Sequence, residues 1–242
     1  MGTRSIISIY YKGRFVVAQY TQFDGYPEGQ GLKIFKFLKD PTNLIHLKEG
    51  LEHHIYTPTQ EELEEIDEHV RKVDEERRER DLANGTMSWL TRGPMAEFYP
   101  SLARETGAVV LKIIAAAGSV TSGAEKTADV EAVLKALEAT PETAPMAKGE
   151  KLIPIVLDLE FVNDGLFCEW SYVVDLDTNS FEVYSGSVSK ENAKSKRWNE
   201  VGDEKASVPE LQASFEVDNL PDEDGYFEAF RSLRDEDEED EE

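Results

Sequence analysis

The chain has 242 residues, of which 26 are Lys or Arg and 50 are Asp or Glu, and its formal net charge is −24 at pH 7. This negative charge argues against direct binding to nucleic acid, because contacts with phosphates need a basic surface. A single cysteine excludes an intrachain disulfide and a cysteine-based metal cluster, and the absence of a signal-peptide pattern or a long apolar run favours the cytosol or nucleus.

The first predicted element is a β-hairpin. Residues 5–11 and 14–22 are rich in Ile, Val, Tyr and Phe, and only Lys12-Gly13 separates them. A two-residue connection with Gly between β-forming runs is typical of a tight hairpin turn. We therefore predict two antiparallel strands at the start of the chain.

A loop rich in Gly and polar groups follows the hairpin, with the sequence QFDGYPEGQG over residues 22–31. Asp24 offers a carboxylate that accepts hydrogen bonds or acts as a base, and Tyr26 carries a hydroxyl on an apolar ring. Arg4 would lie near this loop if the hairpin is in register. Asp-Gly and Tyr-Pro are also ordinary turn dipeptides, so a rigid turn is the alternative interpretation.

The opening MGTR and the later FDGYPEG together resemble the signature of a family found in phages, giant viruses and fungi. Its members begin M-[GAS]-T-R and continue to an aromatic residue followed by D-G-Y-P-x-G. The segment SLARETGA at 101–108 resembles a second element of that family, S-L-[SA]-R-[DE]-T-G-A. The family keeps Arg4 and Asp24 together, but no biochemical activity is settled for it, so the resemblance implies no reaction.

The Gly2-Thr3 junction and the apolar strand after it are similar to the N-terminus of proteasome β-subunits, which are N-terminal nucleophile hydrolases. In those enzymes a freed Thr uses its own amine as the base for its hydroxyl. The resemblance implies Thr3 as a nucleophile and an αββα layered fold. The chain departs from the family at Gln19, where an acid is expected, and only Lys33 and Lys36 lie near the position of the activating lysine. Alternatively, Thr3 simply begins an edge strand.

Helical periodicity fills the middle of the chain. The pattern predicts helices over 32–39, 42–52, 57–80 and about 130–137, and a helical region over 94–118 in which Pro100-Ser101 marks the start of the helix. It also predicts a loop at 81–93 and linkers at 119–124 and 140–149. Arg104 falls inside the apolar helix 94–118. A cation in that setting must pair with an acid such as Asp24 or Glu169, or bind an anionic ligand.

Strand patterns return near the C-terminus. Residues 152–162, 166–176 and 181–184 predict a three-stranded meander, and 226–233 predict a short helix. With the hairpin, this gives an α+β fold with an antiparallel sheet of about five strands and helices inserted between them. Alternation places Glu169 on one face with Ser171 and Val173, as a partly buried carboxylate.

Residues 1–234 are predicted to form a single domain, and the acidic run 235–242 a disordered tail. This tail either remains solvated or docks onto a basic partner. The histidines and glycines show no metal-binding or nucleotide-binding spacing, so the prediction includes no metal and no cofactor.

Together these features predict a polar pocket where the Asp24 loop meets Arg4, Arg104 and Glu169. The candidate catalytic residues are Thr3 and Asp24, and the candidate ligand-binding residues are Arg4, Gln22, Tyr26, Arg104, Glu105 and Glu169. The first hypothesis is an intracellular binding protein for a small molecule or a basic protein. The second hypothesis is a hydrolase of the N-terminal nucleophile type, acting on an amide bond.

Overall fold

The computed structural model describes residues 2–85, 93–122 and 152–230, with residues 120–122 described by their backbone. The chain divides into two compact units, Met1–Asp40 with Leu157–Glu242, and Pro41–Val156. The predicted helix near 130–137, the linker at 140–149 and the acidic run 235–242 lie outside the described residues. That the chain forms a single domain stays a prediction.

The regular elements are few and mostly short. The strands are β1 (Ser5–Tyr11), β2 (Arg14–Thr21), β3 (Ile55–Tyr56), β4 (Ile153–Pro154), β5 (Trp170–Asp175), β6 (Ser180–Ser189) and β7 (Ser207–Glu216). The α-helices are α1 (Leu32–Leu38), α2 (Pro41–His53), α3 (Gln60–Asn84), α4 (Pro94–Phe98), α5 (Val109–Ser122) and α6 (Glu223–Glu228).

The first unit is built on a five-stranded sheet in the order β2-β1-β5-β6-β7. The α+β class is therefore confirmed, as is a five-stranded sheet assembled from the N-terminal hairpin and C-terminal strands. An entirely antiparallel sheet was the wrong prediction, because β1 and β5 run parallel, with Ser5 opposite Trp170 and Tyr10 opposite Asp175. The sheet is therefore mixed.

The fifth strand is not the one that the sequence pattern predicted. Within 152–162, only Ile153–Pro154 is a strand, and it pairs with β3 in a two-stranded sheet; Leu159–Asn163 forms a 3₁₀ turn. The fifth place belongs to β7, whose sequence SVPELQASFE carries a proline and several polar residues. The alternation of apolar residues over 152–162 therefore predicted a continuous strand where there is none. Ile153 and Val162 are buried, but they are buried from a two-residue strand and a 3₁₀ turn.

The hairpin turn forms as the sequence predicts. Lys12 and Gly13 have φ angles of 53° and 77°, and two positive φ values define a type I′ turn, whose twist matches that of the strands. The carboxylate of Asp177, in the turn between β5 and β6, accepts hydrogen bonds from the Lys12 and Gly13 N–H groups at 2.9 and 2.8 Å. One acid thereby joins two turns at this edge of the sheet.

Helices cover one face of the sheet. Phe35 of α1 and Tyr226 of α6 lie with ring centroids 4.6 Å apart and both contact Phe215 of β7. Tyr226 also stacks near Phe181 of β6, at 6.5 Å. These rings form an aromatic core that holds α1, and with it the end of the preceding loop, against the sheet.

The opposite face packs around Trp198, which is fully buried between the strands and the irregular chain that precedes β7. Its ring stacks on Phe15 with centroids 5.0 Å apart. Val162 of the 3₁₀ turn belongs to the same cluster. Among the described residues of this unit there is one sheet, and a second sheet stacked in an αββα arrangement is not seen.

The second unit contains a closely packed helix pair, α2 and α5. A methyl group on Gly50 would overlap the carbonyl oxygen of Ile114, and one on Gly118 would overlap that of His46, so both glycines allow the two backbones to touch. The long helix α3 begins with a capping box, in which Thr59 Oγ1 accepts from the Glu62 N–H and Glu62 accepts from the Thr59 N–H.

Several predicted helix bounds are wrong in this unit. The helix predicted over 94–118 is broken into α4, a 3₁₀ turn at Pro100–Leu102 and α5, with Gly107 at φ 51° before α5 starts. Helix α3 continues to Asn84, into the first four residues of the predicted loop, and α5 continues to Ser122, into part of the predicted linker. Across the described ranges, no helix combines the length and apolar character needed to cross a bilayer.

Candidate functional site

The candidate site lies at the sheet edge where β1 and β5 begin. Arg4 directly precedes β1 and Glu169 directly precedes β5, and the parallel pairing brings both to this edge. Strand β2 ends at Thr21, opposite Ser5, so the loop 22–31 leaves from the same edge. Topology thus brings together three segments that are far apart in sequence.

Backbone hydrogen bonds hold the loop to the start of β1. The Gly25 N–H donates to the Thr3 carbonyl at 2.9 Å, and the Gln30 N–H donates to the Asp24 carbonyl at 2.8 Å. The buried side chain of Gln30 donates from Nε2 to the Phe23 carbonyl at 3.0 Å. The loop therefore satisfies its own polar groups and is tied to the strand.

Two buried tyrosines hold the loop from beneath. Tyr172 on β5 donates its hydroxyl to the Gly25 carbonyl at 2.7 Å, and Tyr226 on α6 donates to the Pro27 carbonyl at 3.1 Å. Burial raises the pKa of both phenols. They therefore stay protonated and act as hydrogen-bond donors.

The glycines of the loop are required by close packing. A methyl group on Gly25 would lie 2.8 Å from the Thr3 carbonyl oxygen, and one on Gly29 would overlap the Asp24 carbonyl oxygen. Asp24 itself has φ 55°, a left-handed conformation that Asp and Asn tolerate better than most residues. The loop backbone is thus a packed, rigid element.

On this rigid backbone, several side chains face solvent. The rings of Phe23 and Tyr26 are 50% and 40% exposed, and Asp24 and Glu28 are also exposed. The Tyr26 hydroxyl donates to Asp24 Oδ1 at 3.4 Å, a weak hydrogen bond.

Arg4 and the segment before β5 continue this surface. The Arg4 guanidinium lies over the Phe167 ring, 4.5 Å from its centroid. The backbone N–H of Arg4 donates to Glu169 Oε1 at 3.1 Å. Phe167 is 44% exposed and Leu166 is 78% exposed. We call the group Arg4, Phe23, Asp24, Tyr26, Glu28, Leu166, Phe167 and Glu169 the loop surface.

The predicted site residues are therefore partly brought together. Thr3, Arg4, Asp24 and Glu169 come from adjacent segments of one unit, and Gln22 and Tyr26 belong to the same loop. Glu169 is exposed, so its prediction as a partly buried carboxylate is wrong. It precedes the strand and accepts a backbone hydrogen bond there.

Arg104 and Glu105 belong to the second unit. Both are exposed and lie between the 3₁₀ turn and α5, so the prediction that Arg104 sits in a buried helix is wrong. The helix is interrupted there because Pro100 starts a 3₁₀ turn and Gly107 takes a positive φ. A pocket that includes Arg104 stays a prediction.

The residues that the hydrolase resemblance implied have other contacts. Gln19 is buried in β2 and donates from its amide to the Tyr20 carbonyl at 3.1 Å. Lys36, on α1, pairs with Glu223 at 3.1 Å, and Lys33 is exposed on the same helix. The nucleophilic role of Thr3 stays a prediction.

A second polar cluster, which sequence reasoning missed, lies at the other end of β1 and β5. The Arg197 guanidinium binds Glu182 through two hydrogen bonds, Nε to Oε2 at 3.0 Å and Nη2 to Oε1 at 2.8 Å. It also pairs with Asp175 and lies 4.6 Å from the centroid of the Tyr10 ring. Arg197 is thus held by two carboxylates and an aromatic face.

Every charged group in this Arg197 cluster is compensated. Asp175, only 1% exposed, accepts from the Asp177 and Thr178 N–H groups, each at 2.8 Å. Burial by itself raises the pKa of Asp175, but the Thr178 N–H and Arg197 outweigh it, so the pKa is lowered from 3.8. Burial raises the pKa of Tyr184, whose hydroxyl donates to Glu182 at 2.6 Å. We conclude that this cluster stabilises the fold.

One signal pointed to the cluster. Asp175 ends an apolar strand at an inward position, and a buried carboxylate needs a cation. The partner, Arg197, lies in the segment after Ser187, where no regular pattern marks an element.

The buried thiol of Cys168 and the acidic side chains were considered as a nucleophile and as metal ligands. Burial raises the pKa of Cys168 to about 12, so its thiol stays protonated and unreactive. Among the described residues, no group of three or more His, Cys, Asp or Glu side chains is placed to hold a metal ion.

No family model, no curated protein and no solved structure matches this chain. The resemblances to the phage, giant-virus and fungal family and to the N-terminal nucleophile hydrolases therefore stay predictions. Function is inferred from the geometry of the loop surface and the Arg197 cluster.

Proposed function

We propose that this protein is a binding protein and that the loop surface is where its partner docks. The observation that carries the proposal is a rigid loop that holds aromatic side chains in solvent. Gly25 and Gly29 are packed against backbone, and two buried tyrosines hydrogen-bond to the loop carbonyls. The rings above this support are nevertheless 40–50% exposed.

Burial of the exposed apolar side chains of the loop surface by a partner would be energetically favourable. Burying a large apolar side chain fully is worth about 1.5–3 kcal/mol, and the loop surface leaves Phe23, Tyr26, Leu166 and Phe167 substantially exposed. A cluster of exposed apolar groups with a charged rim is typical of an interaction surface. Because the backbone is already rigid, docking requires little further ordering of the loop.

The charge pattern favours a basic partner. Asp24, Glu28 and Glu169 contribute carboxylates to the loop surface, and the whole chain carries −24. A field of this sign accelerates encounters with positively charged partners and disfavours acidic ones. We infer that the loop surface binds a basic protein or a cationic small molecule.

Binding of short labelled peptides tests this function, with one basic peptide and a matched acidic peptide in which each Arg and Lys is Glu. The double variant Phe23→Ala/Tyr26→Ala should weaken binding of the basic peptide about tenfold, the scale expected for central aromatic contacts. Leu82→Ala, which removes an exposed side chain of the second unit, is the matched control. Binding that is unchanged in the double variant would reject the loop surface as the site.

The hydrolase hypothesis depends on a free amine at Thr3. The Thr3 carbonyl accepts from Gly25, so Thr3 is next to the Asp24 loop, which is the feature that keeps this hypothesis open. Intact-mass analysis of the purified chain decides it. A chain that begins at Thr3 supports the free-amine mechanism, and one that retains Gly2 excludes it.

A further inference from the structure

We propose that the group recognised by the loop surface is an arginine side chain in a polypeptide segment of another protein. The arginine stacks on the rings of Phe23 and Tyr26, and its guanidinium pairs with Asp24. This inference rests on the proposed function and names the chemistry of the partner.

The chain itself shows how it binds arginine. Arg197 is held by the Tyr10 ring at 4.6 Å and by the carboxylates of Glu182 and Asp175. Arg4 lies over the Phe167 ring at 4.5 Å. In both cases a guanidinium lies over an aromatic face, which suits its planar, weakly hydrated charge, and Arg197 is in addition paired with two carboxylates.

The loop around Asp24 has aromatic rings and a carboxylate like those around Arg197, but none of the described arginines pairs with this carboxylate. Two exposed rings, Phe23 and Tyr26, flank Asp24 in sequence, and the Asp24 carboxylate forms no ion pair with the described residues. Arg4 does not fill this role, because its guanidinium lies over Phe167. A ring–carboxylate–ring sequence on a rigid loop therefore has no paired cation among the described residues, and we infer that an arginine of another protein binds there.

The extent of the loop surface favours a polypeptide over a lone cation. Leu166 and Phe167 are exposed beside Arg4 and lie beyond what one guanidinium would cover. They offer apolar contacts to the residues that flank an arginine. The Arg4 guanidinium, which has no ion pair among the described residues, has donors for a carbonyl or carboxylate of the same segment.

Three short peptides that differ at one central position test the proposal: arginine, lysine and the uncharged isostere citrulline. Wild-type protein should bind the arginine peptide about fivefold more tightly than the lysine peptide and at least about tenfold more tightly than the citrulline peptide. Phe23→Leu/Tyr26→Leu keeps apolar volume but removes the rings, so the preference for arginine over lysine should disappear.

Asp24→Asn is the charge test, and Glu204→Gln is its matched control. Asn also tolerates the positive φ of Asp24, so the loop keeps its conformation while the carboxylate is lost. Glu204 is an exposed acid of the same unit outside the loop surface. Asp24→Asn should weaken binding of the arginine peptide about tenfold, and Glu204→Gln less than about twofold.

The outcomes separate this inference from the proposed function. Equal affinity for the arginine and lysine peptides overturns the arginine proposal and leaves a surface for basic partners. Equal weakening by Glu204→Gln and Asp24→Asn also overturns it, because attraction would then come from the overall charge. Binding of none of the three peptides overturns both.

Discussion

Both ends of strands β1 and β5 carry aromatic rings and carboxylates, which enclose an arginine at one end and face solvent at the other. At the end near Asp175, two carboxylates and the Tyr10 ring enclose Arg197, and every charge has a partner. At the end near Arg4, the rings of Phe23 and Tyr26 and the carboxylate of Asp24 face solvent. One end is complete within the chain, and we propose that the other end is completed by a partner.

The difference follows from burial. Asp175 is 1% exposed and loses its hydration on folding, so it requires a cation and N–H donors inside the protein. Asp24 remains hydrated and needs no partner for the chain to fold. Substitutions at the Arg197 cluster should therefore change stability, and substitutions of side chains on the loop surface should change binding.

The largest effect is expected from Arg197→Met, which breaks the enclosed end. It leaves Asp175 and Glu182 without their cation and should lower the free energy of unfolding by about 3–5 kcal/mol in urea denaturation. Lys36→Met, which breaks the exposed pair with Glu223, is the control and should cost less than about 1 kcal/mol. Equal losses in the two variants would show that Arg197 is no more than a surface pair.

A somewhat smaller loss of stability is expected from Gly29→Ala. This variant tests the packing of the loop backbone and leaves the exposed side chains of the loop unchanged. The new methyl group would overlap the Asp24 carbonyl oxygen, and overpacking of this kind costs about 1–3 kcal/mol. Gly93→Ala is the matched control, because nothing lies within 4 Å of the added methyl group. A fully stable Gly29→Ala protein would show that the loop is not rigidly packed.

Acid pH should reduce the contribution of the Arg197 cluster to the stability of the fold. The pKa of Asp175 is lowered in the folded state from its ordinary 3.8, so its contribution to stability is present above that value and is lost as the pH falls through the folded-state pKa. Unfolding of wild type and Asp175→Asn, measured from about pH 6 to pH 2, should show their difference in stability shrink below about pH 4. A constant difference would contradict the lowered pKa.

The smallest effect on stability is expected from Asp24→Asn at the open end. Asn keeps the left-handed backbone, and within the described part of the chain the exposed carboxylate has only the 3.4 Å contact with Tyr26. The free energy of unfolding should therefore change by less than about 0.5 kcal/mol. Thermal and urea unfolding check this. A loss comparable to that of Arg197→Met would mean that Asp24 is a structural residue.

The elements predicted correctly are those that depend on interactions between residues close in sequence. The hairpin at Lys12-Gly13 and the amphipathic helix α3 follow from turn chemistry and periodicity within a few residues. The candidate residues Asp24 and Tyr26 were proposed because they occur in one short loop, and Arg4 because it lies at the start of the hairpin that leads to this loop.

The sequence patterns joined the N-terminal hairpin to the C-terminal strands in one sheet, but they did not show the parallel direction of that pairing. The parallel contact of β1 with β5 joins residues about 165 positions apart, as in the Arg4–Glu169 hydrogen bond. Strand β7 was missed because its sequence carries a proline and several polar residues. The helical region predicted over 94–118 is interrupted because Pro100 and Gly107 outweigh its apolar pattern. Arg197 was missed since its partners are distant in sequence.

We propose that one end of the sheet binds a cation from a partner and that the other end does not. Two-dimensional ¹H–¹⁵N spectra of the full chain, titrated with the arginine peptide, distinguish the two ends. We expect shift changes at residues 2–4, 22–28 and 166–169, with the amides around Asp175 and Arg197 unmoved. Changes centred on the Arg197 cluster, or spread evenly over the acidic surface, would contradict it.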